Sequence, residues 1–183
     1  ASTESLTTAD DLTNTTRCEV PQLTYVFDQA PANLREYYQL GYMHGDWTHI
    51  VYEGERFQFK ETMEKSNQLA NSLINDFGIQ KGDKVAFSMR NYPEWMFTYI
   101  ATTSIGAIWS SSSPDFGINS VTDRLSQIHP KVIFSASAYR YNGKVFSSIN
   151  KLQKIIKELP TIEKVIIVDY LKTKPNYSDI PNS

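Results

Sequence analysis

The chain has 183 residues, 40% of them hydrophobic and 21% charged, with a net charge of −2 at pH 7. That is one domain's worth of chain with enough apolar content to bury a core, and its near-neutral balance gives no broad attraction to nucleic acid or to an anionic membrane. A single cysteine, Cys18, excludes an internal disulfide and stands in a polar stretch without metal-ligand spacing.

Residues 1–19 read as a flexible lead. The opening ASTESLTTADDLTNTTR is rich in Ser, Thr and Asp and lacks the apolar centre of a secretory signal. Asn14 and Asn176 begin Asn-x-Ser/Thr triplets, which are common by chance and read as ordinary polar positions. The chain has no run of about 18 apolar residues, so no membrane span is expected. Cysteine content suits a reducing compartment, and a cytoplasmic location is the expectation.

From Pro31 to Trp47 apolar and aromatic residues recur at helical spacing: Leu34, Tyr37, Tyr38, Leu40 and Tyr42. Ile50–Tyr52 and Arg56–Phe59, on either side of Glu53-Gly54-Glu55, predict a hairpin. Met63, Asn67, Ala70, Leu73 and Ile74 predict a helix from Lys60 to Phe77, with Gly78 at its C-terminal end. Lys81-Gly82-Asp83 is a turn signal and Val85–Met89 a short buried strand. Asn91 is the expected cap of the next helix, Pro93 lies in its first turn, and the helix runs to about Ile105.

Ala107–Ser110 is a second strand. Val121–Ile128 is a helix ending at His129-Pro130, because proline restricts the residue before it. Val132–Phe134 is a third strand, Lys151–Leu159 a helix closed by Pro160, and Val165–Val168 a fourth strand. Short strands without polar alternation, joined by helices, predict an α/β fold: an open, mostly parallel sheet with helices on both faces, spanning residues 20–183. In such sheets ligands lie beyond the C-terminal strand ends, which here means the residues after Met89, Trp109 and Phe134.

At that rim stand the run Ser110–Gly117 and the pair Arg140 and Lys144. Hydroxyls and turn amides in the run could bind a carboxylate or phosphate, but Ser-Pro-Asp-Phe-Gly more readily forms a turn capping the next helix. Arg140 and Lys144 bracket Tyr141-Asn142-Gly143, where a guanidinium and an ammonium could grip a phosphate or be ordinary surface charge. Asp123 and Arg124, beside Gln127, suggest a structural ion pair or cap contact. His44, His49 and His129 share neither triad nor metal spacing. Trp95, Phe97 and Tyr99 suit helix packing rather than a cofactor box. The lysines between Lys144 and Lys174 read as a solvated helix face. The eight glycines form no phosphate-cradling loop.

The words TSIGAIWSS (103–111), SPDFG (113–117), Asp123-Arg124 with Gln127-Ile128, YNGK (141–144), LQKIIKELP (152–160), KVIIV (164–168) and DIPNS (179–183) resemble the acetoacetyl-CoA synthetases of eukaryotic kind. That family lies within the AMP-binding, adenylate-forming acid–CoA ligases. RFQFKE (56–61), NQLA (67–70) and KGDKV (81–85) resemble the opening motifs of the wider superfamily. Residues 1–103 are more similar to fatty-acid–CoA ligases, through NYPEW (91–95) and the stretch 32–48.

The resemblance implies the N-terminal subdomain of a ligase that joins a small acid to CoA with ATP and Mg²⁺. In the full-length family ATP and the acid give an acyl-adenylate and pyrophosphate, and CoA then releases AMP. The residues of that ATP chemistry fall beyond Ser183 by the same resemblance. No catalytic residue and no metal ligand is therefore assigned here. The rest of the ligase is the implied partner, no cofactor is expected to bind tightly, and no turnover is expected from these 183 residues alone. Basic residues at a similar loop of related ligases contact the 3′-phosphate end of CoA, so the resemblance carries that role to Lys144 and, second, to Arg140. The alternatives are a medium- or long-chain fatty-acid–CoA ligase fragment and a non-catalytic CoA-binding or interaction module.

Overall fold

A computed structural model describes residues 31–172, 174–178, 180 and 181. The predicted lead, Asn14 and Cys18 lie outside the described residues. Helix α1 (Leu34–Gln39) opens with Asn33 Oδ1 accepting from the Glu36 amide at 3.0 Å. Glu36 in turn accepts from the Ala32 amide at 2.8 Å, the reciprocal arrangement that satisfies two free amides at a helix start. A 3-10 turn (Leu40–His44) continues it, so the predicted helix over 31–47 is shorter and changes pitch.

The expected hairpin is present as β1 (Thr48–Tyr52) and β2 (Glu55–Gln58), turning at Glu53 and Gly54, both of positive φ. Those backbone angles match the right-handed twist of the flanking strands. Helix α2 (Phe59–Asn75) buries Met63, Ser66, Ala70 and Leu73 along one stripe. Gly78 takes φ 63° just past it, and the Ile79 amide returns to the Leu73 carbonyl at 2.8 Å.

Strand β3 (Lys84–Ser88), helix α3 (Pro93–Ser104) and strand β4 (Ile108–Ser111) follow. Next come α4 (Ile118–Ile128), β5 (Val132–Ala136), β6 (Ala138–Tyr141), β7 (Lys144–Ser147), α5 (Ile149–Glu158) and β8 (Lys164–Val168). Four strands form one parallel sheet in the order β4-β3-β5-β8. Ala86 pairs with Ser110 on one side and with Ile133 on the other.

Successive strand residues point to opposite faces, and both faces are covered. Val85, Phe87, Val132 and Phe134 pack with Leu73 of α2 and Ala101 of α3. Ala86, Ile133 and Val165 pack with Val121 and Leu125 of α4 and with Leu152 and Ile155 of α5. This double burial is why the strands carry no polar alternation. Helices on both faces of a parallel sheet are the predicted architecture.

Two further local expectations fail. Asn91 does not cap α3: Tyr92 holds that position, makes no side-chain cap bond, and is buried in a stack with Tyr170 at 4.4 Å. Burial pushes its phenol up to about 12. Asp123 and Arg124 make no ion pair among the described residues, since neighbours in a helix point about 100° apart. Arg124 instead donates to the Ser120 carbonyl at 2.9 Å and lies 4.6 Å over the Phe116 ring.

Candidate functional site

The C-terminal strand ends gather the site. After β3 the chain passes to α3 on one face of the sheet, whereas after β4 and β5 it passes to α4 and α5 on the other. Neighbouring strands whose exits diverge leave a crevice between them. An open cleft of about 690 Å³ lies there, lined by Tyr52, Arg90, Asn91, Trp95 and the run Ser111–Phe116. The sequence-predicted rim after Met89 and Trp109 therefore does enclose a cavity.

The serines at this rim divide by depth. Ser112 is buried, donating its amide to the Phe87 carbonyl at 2.9 Å and its hydroxyl to Ser88 Oγ at 3.4 Å. Ser135 on β5 donates to the Ser88 carbonyl at 3.2 Å. Ser88 thus accepts both buried hydroxyls, one at its Oγ and one at its carbonyl, as buried polar groups require. Ser111 faces the solvent side of the cleft. Ser113 Oγ accepts from the Asp115 amide at 3.2 Å, so Ser-Pro-Asp-Phe-Gly does form the expected turn. It does not cap α4: Gly117 is the cap position and makes no side-chain bond.

Lys151 of α5 reaches back under this turn, donating to the Pro114 carbonyl at 2.7 Å and to the Phe116 carbonyl. Burial lowers its ammonium below the usual lysine range, against a smaller opposing effect of Asp115. Lys151 thus departs from the solvated lysine face expected between Lys144 and Lys174. Sequence reasoning had no signal for it, because the bond joins segments 35 and 37 residues apart.

Arg140 and Lys144 lie on a feature the sequence analysis did not predict. β6 and β7 form an antiparallel ribbon turning at Asn142 (φ 48°) and Gly143 (φ 73°). Asn-Gly between alternating residues is the strongest short-range hairpin signal, and it was available in YNGK. Lys144 pairs with Tyr141, and Arg140 with Val145. Adjacent register positions face opposite sides of a ribbon, so Arg140 and Lys144 do not converge as one phosphate clamp. Both are exposed, and neither lines the cleft.

The histidines form no cluster. His44 sits 4.9 Å from the Trp47 ring, His49 stacks on Phe59 at 4.1 Å, and His129 closes α4 in the left-handed region. Burial holds the His49 imidazole below its ordinary range. Among the described residues no three His, Cys, Asp or Glu side chains could together hold a metal ion, and no helix is long and apolar enough to cross a membrane. Trp95 and Tyr99 stack together and meet Trp109 edge-on, which is packing as expected. The site as a whole offers one guanidinium, the carboxylates of Glu53 and Asp115, hydroxyls and turn amides in a cleft, with two exposed cations on a neighbouring ribbon. It can bind a polar ligand, and the described residues that line it include no paired nucleophile and base.

Comparison with known proteins agrees with this geometry. The profile of the AMP-binding enzyme family matches residues 39–181. The acetoacetyl-CoA synthetase of Macaca fascicularis is 43% identical over 140 residues, covering 74% of this chain and 21% of that protein. That match is longer than the stretch from Ser104 onward can hold, so the likeness to acetoacetyl-CoA synthetases extends into residues 1–103, where fatty-acid–CoA ligases were the expectation. The Danio rerio acetoacetyl-CoA synthetase is 47% identical over 114 residues, 61% of this chain and 17% of that one. Among solved structures, acetoacetyl-CoA synthetase from Streptomyces lividans superposes with a TM-score of 0.73 at 30% identity, over 79% of this chain and 23% of that chain. The chain spans about a fifth of the length of the curated relatives it matches. Sheet order, helices on both faces and these matches together place the chain in the AMP-binding enzyme family.

Proposed function

We propose that this chain is the N-terminal α/β part of an ATP-dependent acid–CoA ligase whose acid is acetoacetate. In the reaction so assigned, acetoacetate and ATP give acetoacetyl-AMP and pyrophosphate. The CoA thiol then attacks the acyl carbon, giving acetoacetyl-CoA and AMP. The observation that carries the reading is the likeness to acetoacetyl-CoA synthetases across three quarters of the chain. In this assignment the chain supplies the sheet and rim on which the adenylate site is built, and it contributes part of the CoA surface. Lys144, exposed on the ribbon, meets the 3′-phosphate of CoA as a point charge. Arg140, on the opposite ribbon face, has the lesser part. Residues that hold ATP and Mg²⁺ belong to the remainder of the ligase, so the 183 residues bind CoA weakly and turn nothing over.

The test is a titration of the 183-residue chain with millimolar CoA and, in parallel, dephospho-CoA. CoA is expected to bind more tightly, by about tenfold for one charge-assisted contact, and Lys144→Ala to erase the difference. Equal binding of the two ligands by the unaltered chain overturns the assignment of Lys144. Pyrophosphate release dependent on acetoacetate would overturn the prediction of no turnover.

A further inference from the structure

Arg90 stands two residues beyond the buried end of β3 at Ser88, on the wall of the cleft. Its guanidinium Nη1 donates to the backbone carbonyl of Arg140, 50 residues later, in the middle of the ribbon. The chemistry of that carbonyl follows from register. With a two-residue turn at Asn142-Gly143, Tyr141 and Lys144 form the hydrogen-bonded pair next to it. The next pair, Arg140 and Val145, is then the non-hydrogen-bonded one, whose amides and carbonyls point away from the partner strand. The Arg140 carbonyl is thus free of the ladder, and Arg90 occupies it.

The ribbon has few other ties: near its base Tyr139 hydrogen-bonds with Asp115 of the serine turn and stacks on Phe146 within the ribbon. Residues 140–147 are all exposed. At its base the Ser148 amide donates to the Ser137 carbonyl at 2.9 Å, and the Ser137 amide to Val168 at 3.0 Å. An isolated two-stranded ribbon is marginal in water, so a charge-assisted bond at mid-strand weighs heavily on where its tip stands. β3, by contrast, is an interior strand of the sheet, paired on both sides and covered on both faces. A planar guanidinium on its end is a fixed point.

We infer that Arg90 is a positioning residue: by holding the Arg140 carbonyl it ties the CoA-facing ribbon, and with it Lys144, to the end of the central strand. The inference rests on the ligase reading for its ligand, while the tie itself stands on geometry alone. Arg90 acts on CoA through the ribbon and does not itself touch the 3′-phosphate.

The experiment uses the 183-residue chain and its variants Arg90→Ala, Arg90→Lys and Lys144→Ala. Amide hydrogen exchange is read over residues 138–147 and over β3 and β5, and each variant is titrated with CoA. In Arg90→Ala the ribbon amides are expected to exchange about tenfold faster, the loss of one charge-assisted bond at a solvent-facing site. β3 and β5 should stay protected, and CoA binding should weaken by a similar factor. Arg90→Lys keeps a donor and should restore part of both. Unchanged ribbon protection in Arg90→Ala overturns the tie, and so does an equal loss across β3 and β5, which marks general destabilisation. A loosened ribbon in Arg90→Ala with unaltered CoA affinity in Lys144→Ala overturns the CoA assignment and leaves the tie standing.

Discussion

Replacing Ile133 by alanine tests whether the sheet is closed on both faces. Ile133 is 0% exposed on β5 and points at the α4–α5 face, while its neighbour Phe134 points at the other. The change removes three carbons, and at ~0.8 kcal/mol each the lost burial is ~2.4 kcal/mol. Volume that Val121, Leu125 and Ile155 cannot refill adds ~24 cal/mol per Å³, so ~40 Å³ left empty adds ~1 kcal/mol. The expected loss is therefore ~3.4 kcal/mol, a large share of the ~5–15 kcal/mol typical of a domain.

Ile108→Ala is the internal reference. It removes the same carbons from the outer strand β4, where the residue is 50% exposed, so its burial loss is about half, ~1.2 kcal/mol. Urea unfolding followed by tryptophan fluorescence reads both variants, with Trp95 and Trp109 packed beside the β3–β4 edge. A cost for Ile133→Ala no greater than that of Ile108→Ala would mean the α4–α5 layer does not cover the sheet, and the doubly wound architecture would fall with it.

Two further outcomes are expected. Gly106→Ala should cost ~1–2 kcal/mol of stability, read as a lower urea midpoint at unchanged slope, because φ is +76° there and a Cβ would lie 3.0 Å from Lys81 Cγ, whose flexible stem can move aside; an unchanged midpoint would sink that account. Asp83 is held below the usual carboxylate range by its hydrogen bond from Lys131 at 2.9 Å and by the Gln80 amide at 2.9 Å. A depressed folded value means its stabilisation is present above about pH 4 and lost as pH falls through the folded value. Asp83→Asn should accordingly be less stable than the parent at pH 7 and converge with it at low pH; a gap that stays constant down to pH 2 would refute the assignment.

The parallel sheet was legible because double burial writes itself as continuous apolar runs: Val85–Phe87, Val132–Phe134 and Val165–Val168 all fall inside observed strands. Helix ends marked by Gly78, Pro93 and Pro130 were legible for backbone reasons. The ribbon was not read, since none of residues 140–147 is buried and no apolar run announces it; only its Asn-Gly turn could have. The bonds of Arg90 and Lys151 were illegible in principle. Each joins a side chain to a backbone carbonyl far along the chain, and carbonyls carry no residue identity. Thus the rim could be located from sequence, while the two side chains bonded across it required the topology.

The order in which the sheet is laid down has a consequence for synthesis. β3 is made first of the four strands, yet Ala86 meets Ser110 only 24 residues later and Ile133 only 47 residues later. At a translation rate of ~5–20 residues per second, the second neighbour emerges roughly 2–10 s after β3 itself. During that interval a strand destined for the interior of the sheet shows one whole edge to the cell. Helix α2, already made, can shield only the Val85–Phe87 side. The nascent chain is most exposed to mispairing in this window, so slowing elongation between the codons of Ser88 and Val132 should raise aggregation more than slowing it later.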